Sequence, residues 1–363
     1  MTTPQPAAWS AQVDWRSGTL RAAPERRPVT AWRRPPQPGT LPKRPLTFFE
    51  TLDGGFRLLR GAPGATFGIA LLVQTLAALL VALALTALAV GGAGFLMRTL
   101  ASSPEAGLGL NVLAQTVALA GTLGSLSIGQ LLTGFSSVAG DRAFGGERPR
   151  LAEVWRRLAG VRLRLVGLTL LCTAAHVGAL LVLMLPGGLL LLLSPTAGVI
   201  VGSLGFLAWI PLTAAAFARF ALAGSVLALE RTGVLESLRR SWRLTRGSFW
   251  KTLGQLVLAY FLSSQIVNLV MSPILLVLMA GGFGLALALS LGGGVSDAVF
   301  GTVLVLIGVA VTALTMAATA LLFAYLCGTV SCVYFDRRMR LEGYDLVLLR
   351  RAEQEDAGEE EHA

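Results

Sequence analysis

Five long stretches of this chain carry no charged residue: residues 61–97, 106–140, 165–218, 252–296 and 298–335. A helix crosses the hydrocarbon core of a bilayer with about 20 apolar residues. Each stretch therefore holds one span, and the third is long enough for two. A soluble core is excluded by composition, because only 14% of residues are charged and 54% are hydrophobic, against about 25% charged in a soluble domain. The sequence predicts an all-α, polytopic integral membrane protein with six transmembrane helices.

Charge sets the topology. Residues 141–164 hold seven Arg against three acids, and residues 230–251 hold five Arg and one Lys against two acids. Basic loops stay cytoplasmic, so an even number of spans separates these two segments. Residues 165–218 then turn once, between Pro186-Gly187-Gly188 and Ser194-Pro195, where helix breakers cluster. Two spans precede residue 141 and two follow residue 251. Both termini are expected in the cytoplasm and the protein in the plasma membrane. Residues 1–45 contain nine of the 16 prolines and are expected to be a disordered Pro/Arg-rich tail. Residues 46–351 form the six-span domain, and residues 352–363 an acidic disordered tail. No apolar segment of leader type precedes the first span. Cys172, Cys327 and Cys332 all lie in apolar stretches without paired spacing, so no disulfide framework is expected.

The three pairs of spans share a pattern that predicts a threefold internal repeat. Phe56-Arg57-Leu58-Leu59-Arg60, Trp155-Arg156-Arg157-Leu158 and Trp242-Arg243-Leu244-Thr245-Arg246 precede the odd spans. Ser136, Ser225 and Ser331 close the even spans, each followed five residues later by an acid and then Arg. Chance similarity among Leu/Ala-rich helices is the competing explanation.

Amphipathic cytoplasmic helices are expected before the first, third and fifth spans. Thr47 and Glu50 form a T-x-x-E capping box at the start of one. Phe48, Phe49, Leu52, Phe56 and Leu59 then share a side, opposite Glu50, Asp53, Arg57 and Arg60, as in a helix lying in the membrane interface. A helix packed on the bundle is the alternative. In residues 233–247, Arg239, Arg243 and Arg246 share a face with Arg240 beside them, opposite Leu235, Leu238 and Trp242. Arg57, Arg60, Arg156, Arg157, Arg239, Arg240, Arg243 and Arg246 are the candidate contacts for a lipid headgroup or other anion. Positive-inside anchoring alone would use the same residues.

Polar residues inside the spans are the other candidates. Counting back six from the repeat serines gives Gln130, Arg219 and Tyr325, a predicted polar tier with Arg219 as an anion contact; the alternative is that Arg219 snorkels to the interface. Gln74, Gln115, Ser263, Ser264, Gln265 and Asn268 are expected to hydrogen-bond between helices; Ser264, Gln265 and Asn268, on a single helical face before Pro273, have lining a cavity as the alternative. Cys172 and His176 stand four apart on one helix face, which suits a satisfied core histidine beside an inert thiol better than half of a metal site. No catalytic, cofactor-binding or metal-binding residues are expected, and no phosphate-cradling loop is present.

Three blocks of this sequence resemble the integral membrane proteins named for the glycerophosphoryl diester phosphodiesterase membrane domain. They are Arg44-Pro45-Leu46-Thr47-Phe48-Phe49-Glu50 through Arg60, Leu238-Arg239-Arg240-Ser241-Trp242-Arg243-Leu244-Thr245-Arg246-Gly247-Ser248-Phe249-Trp250, and Tyr334-Phe335-Asp336-Arg337-Arg338-Met339-Arg340 with Glu342-Gly343-Tyr344-Asp345. The resemblance implies the membrane module alone. In some members that module is fused to a soluble phosphodiesterase barrel built on histidines and acids around a metal, and this sequence has no such region. The expected function is a non-catalytic multi-pass module that binds lipid headgroups or a membrane partner in envelope-lipid handling. The alternative is a small transporter or channel-like protein for an amphiphilic or anionic solute. Expected partners are anionic membrane lipids and a protein within the membrane, and no nucleic acid.

Overall fold

The computed structural model describes residues 12–14, 19–21, 41–80, 83, 86, 127–191, 193–291, 297–350 and 354. The chain divides into two units, Met1–Gln37 and Pro38–Ala363. In the first, β1 (Gln12–Asp14) and β2 (Thr19–Arg21) pair antiparallel with Val13 opposite Leu20. This ladder stands where proline content predicts no regular structure.

The regular structure among the described residues of the second unit is helical. A short helix, α1 (Phe48–Gly61), is followed by α2 (Gly64–Leu80), whose first turn is π-helical. Then come α3 (127–143), the short α4 (Leu151–Arg157) and the long α5 (Arg162–Leu191). Next are α6 (Pro195–Phe220) and α7 (Ala223–Glu230), the short α8 (Val234–Thr245), α9 (Phe249–Leu291) and α10 (Asp297–Glu342).

Among the described residues, four helices are long and apolar enough to cross a membrane: Arg162–Leu191, Thr196–Glu230, Phe249–Leu285 and Gly301–Glu342. A fifth span is obtained if α1 and α2, bent by 91° at their junction, are taken together. The far part of the first expected span, most of the second and Gln115 lie outside the described residues.

The structure moves three expected features. The turn between α5 and α6 falls at its distal end, because α5 runs through Pro186 to Leu191 and Ser194 caps α6. Close contact between α5 and α6 holds that extra length in place. A Cβ on Gly187 would lie 2.5 Å from the Gly202 backbone, so glycine on each helix lets the backbones meet. Packing also begins before residue 46, since Leu41 and Leu46 are buried to 1% and 0% exposure. Finally, α1 docks on the bundle. Its buried residues are Thr51, Leu52, Gly54, Gly55 and Leu58, while Phe49 and Phe56 are exposed. Of the predicted face only Leu52 is fully buried, and two glycines, invisible to a hydrophobic pattern, are what allow α1 to press against α10.

The core lies at the end of the bundle where the spans meet the charged loops. Ile69, Phe135, Leu165, Leu168 and Phe323 form one cluster, and Leu41, Leu58, Phe144, Tyr334 and Phe335 another beside it. Away from that end α9 exposes Leu269, Val277, Met279 and Phe283. Apolar helices exposed over most of their length are at equilibrium in lipid, which offers such surfaces no hydrophobic penalty.

Candidate functional site

Between α6 and α7 the helix breaks at Ala221 and Leu222. A break leaves carbonyls and amides without their helical partners, and in an apolar bundle each must find another. The Gln130 amide on α3 spans the gap, donating from Nε2 to the Phe220 carbonyl at 3.0 Å and accepting the Gly224 N–H on Oε1 at 3.0 Å. The Arg219 carbonyl accepts from Ser241 Oγ at 2.8 Å and Thr245 Oγ1 at 3.4 Å, which ties α8 across the end of α6. The buried face of α8 is accordingly polar and small: Ser237, Ser241 and Thr245, with Leu244.

This docking decides what α8 presents outward. Phe220, Leu235, Leu238 and Trp242 surround one open groove of about 650 Å³ together with Arg239, Arg243 and the Glu236 carboxylate. The sequence pattern places the arginines opposite the leucines and Trp242; the structure gathers both around the groove, because the truly buried face is the Ser/Thr stripe. Trp242 and Leu235 are 44% and 63% exposed. Arg243 is paired with Glu236 at 3.1 Å, whereas Arg239 and Arg246 are exposed with no ion-pair partner among the described residues.

A second cavity of about 320 Å³ runs into the bundle between α3, α5 and α6. Leu171, Cys172, Ala175, Ala216 and Phe217 form apolar walls. Phe220 and Leu238 line both this slot and the groove, so the apolar slot and the basic surface adjoin at these two side chains. Ser127, His176 and Thr213 lie at its inner end.

The predicted site residues divide accordingly. Arg239 and Arg243 stand at the mouth. Arg57 is held by Asp53 at 2.7 Å, and Arg60, Arg156, Arg157 and Arg246 are exposed outside the groove. Arg240 is turned away from any external anion: it bonds Glu230 at 3.1 Å and Glu342, which also accepts from Arg338. Burial pulls the Arg240 guanidinium down, but the Glu230 and Glu342 carboxylates outweigh it and leave it above its ordinary value.

Gln130, Arg219 and Tyr325 are each engaged separately, with no hydrogen bond joining their side chains among the described residues. Gln130 splints the helix break. The Arg219 guanidinium lies between the Trp242 and Phe249 rings, 4.5 and 4.6 Å from their centroids, with Nη1 buried and unbonded among the described residues. Tyr325 meets Phe56 with ring centroids 5.9 Å apart. A polar contact that does join three helices is a serine hub. Ser137 Oγ is 2.7 Å from Ser225 Oγ and 2.9 Å from Ser331 Oγ, and Ser331 donates to the Cys327 carbonyl. Ser225 and Ser331 were singled out by sequence; the third member is Ser137 rather than Ser136. A SerSer pair inside a helix leaves that one-residue choice to the packing.

His176 makes no contact with the Cys172 thiol. Its Nδ1 lies 2.7 Å from the Cys172 carbonyl and 3.4 Å from Ser127 Oγ. Gln265 and Asn268 are exposed and line no described cavity. Among the described residues no group of three His, Cys, Asp or Glu side chains is placed to hold a metal. Comparison with protein-family models, with curated proteins and with solved structures finds no match for this chain.

Proposed function

We propose that this protein is a non-catalytic membrane module that holds an anionic amphiphile, its acyl chain in the slot and its headgroup at Arg239 and Arg243. The observation that carries the reading is that slot and groove adjoin at Phe220 and Leu238, which line both. A cavity of this size is at the lower end of small-molecule pockets, about 300–1,000 Å³, and suits one chain. Each buried methylene contributes about 0.8 kcal/mol, and arginine recognises phosphate through directed N–H donors. The reading carries with it six spans, cytoplasmic termini in the plasma membrane, and membership of the membrane-domain family that the sequence blocks resemble.

A threefold repeat agrees with how the short helices dock. Thr51 and Ser237 are buried at equivalent positions and both donate to the carbonyl three residues back. Gly55 approaches the Tyr325 carbonyl where its counterpart Ser241 bonds the Arg219 carbonyl. Gln265 and Asn268, exposed on an apolar helix, support a protein partner in the membrane, since such groups seek interhelical hydrogen bonds.

The test is native mass spectrometry of the full protein in detergent with stearoyl lysophosphatidate and stearoyl lysophosphatidylcholine. The phosphate monoester should be retained in preference to the zwitterion. Arg239→Gln with Arg243→Gln should abolish that preference, and Arg156→Gln with Arg157→Gln should leave it intact. Equal retention of both lipids by the wild type would remove the headgroup assignment.

A further inference from the structure

We infer that the slot selects chains bearing a hydrogen-bonding oxygen, a hydroxyl above all, about 10 Å inside the basic mouth. The inference rests on the amphiphile reading above and specifies its ligand. Next to the mouth the one polar lining side chain, Gln130, is already bonded to the Phe220 carbonyl and the Gly224 N–H, whereas three helices each deliver one polar side chain to the inner end: Ser127 from α3, His176 from α5 and Thr213 from α6. Ser127 and Thr213 are 3% and 6% exposed. Thr213 stands seven residues before Phe220, which at 1.5 Å per residue is about 10 Å along α6.

These groups have unspent hydrogen-bonding capacity. Threonines elsewhere in the spans satisfy themselves: Thr169, Thr173, Thr312, Thr315 and Thr319 each donate to the carbonyl four residues back at 2.7–3.0 Å. Thr213 makes no hydrogen bond among the described residues, although it is equally helical and more deeply buried. At His176 the 2.7 Å contact to the Cys172 carbonyl requires Nδ1 to carry the proton, because a carbonyl only accepts. The neutral ring then has a bare acceptor at Nε2, which has no partner among the described residues. The inner end thus offers an acceptor and two hydroxyls. An alkyl chain filling the slot would strip water from all three and return nothing, whereas a chain hydroxyl both donates to Nε2 and accepts from a hydroxyl. Selectivity of this kind arises from the penalty on the plain chain as much as from attraction to the substituted one.

The experiment measures dissociation constants for full-length protein in detergent, using stearoyl lysophosphatidate and its analogue with a mid-chain hydroxyl. The hydroxylated lipid should bind about tenfold more tightly, the net effect of one hydrogen bond of about 1.4 kcal/mol. In Thr213→Val, a near-isosteric change, the ratio should fall towards one, and Ser127→Ala combined with it should remove the remainder. Both lipids should be lost together in Arg239→Gln with Arg243→Gln. Equal affinities in the wild type, with that arginine dependence retained, overturn the chain inference and leave the headgroup reading standing. A preference that survives in Thr213→Val with Ser127→Ala also overturns it. Failure of the wild type to bind either lipid overturns the amphiphile reading, and this inference with it.

Discussion

At Gly55 a Cβ would sit 2.3 Å from Thr329 Oγ1, 2.9 Å from the Thr329 backbone nitrogen and 3.1 Å from the Tyr325 carbonyl. The hydroxyl can rotate aside, but the backbone atoms of α10 cannot, so the cost of a methyl there is separation of the two helices. Gly55→Ala should destabilise the protein by about 1–3 kcal/mol, the range for an overpacked site, and lower its Tm in detergent. Gly145→Ala is the control, because its Cβ would meet nothing nearer than the Arg142 carbonyl at 3.5 Å. Equal Tm values for the two variants would mean that α1 is not pressed against α10 as described. Serine shows the same dependence on place. Ser331 spends its proton on the Cys327 carbonyl, so it can only accept from Ser137, and Ser225 must then donate to Ser137. One direction of donation satisfies all three, which makes the hub a closed account for three buried hydroxyls.

Short helices are held on this bundle by the defects of the long ones. The break between α6 and α7 frees the Arg219 carbonyl, and α8 docks by supplying Ser241 and Thr245 to it. Ser241→Ala leaves a buried carbonyl short of its better partner, a loss of about 1–3 kcal/mol. Amides of α8 should exchange with deuterium about tenfold faster in that variant, with α1 amides unchanged. Uniform acceleration of both helices would contradict local docking. At α1 the capping box gives a pH dependence. The Thr47 backbone N–H, then Arg44, hold the Glu50 carboxyl below its ordinary value. A depressed acid adds stability that is complete above the unfolded value of about 4.3 and is lost as pH falls through the lower folded value. Exchange at the first turn of α1 should therefore accelerate below that window, and in Glu50→Gln it should be insensitive to pH there beyond the intrinsic exchange rate. The capping box was fully legible in the sequence, because both partners lie within one turn. The α8 face was not: its pattern of Leu, Trp and Arg describes the surface, while its buried side is set by carbonyls on another helix that no local pattern encodes.

For the molecule as a whole, what could be read in advance was whatever depends on solvent. Long uncharged runs specify helices that cross lipid, and the four long apolar helices fall where those runs predict. The site was legible in part. Arg239, Arg243 and Trp242 were marked by charge and aromatic character, but Phe220, Leu238 and Thr213 look like any other lipid-facing residues until three helices converge on them. Topology remains the property on which the most else depends, since the groove meets an anionic cytoplasmic leaflet only if α8 is on that side. Cysteine scanning reads it directly. The native cysteines are all buried, so they give little background. A cysteine at Leu193, 83% exposed in the turn between α5 and α6, should react with an impermeant maleimide on intact cells. Cysteines at Gly145 and Glu236, both exposed beside the basic segments, should react only after permeabilisation. Labelling of Glu236→Cys on intact cells would put α8 on the outer face and leave its arginines without the charged surface they are placed to meet.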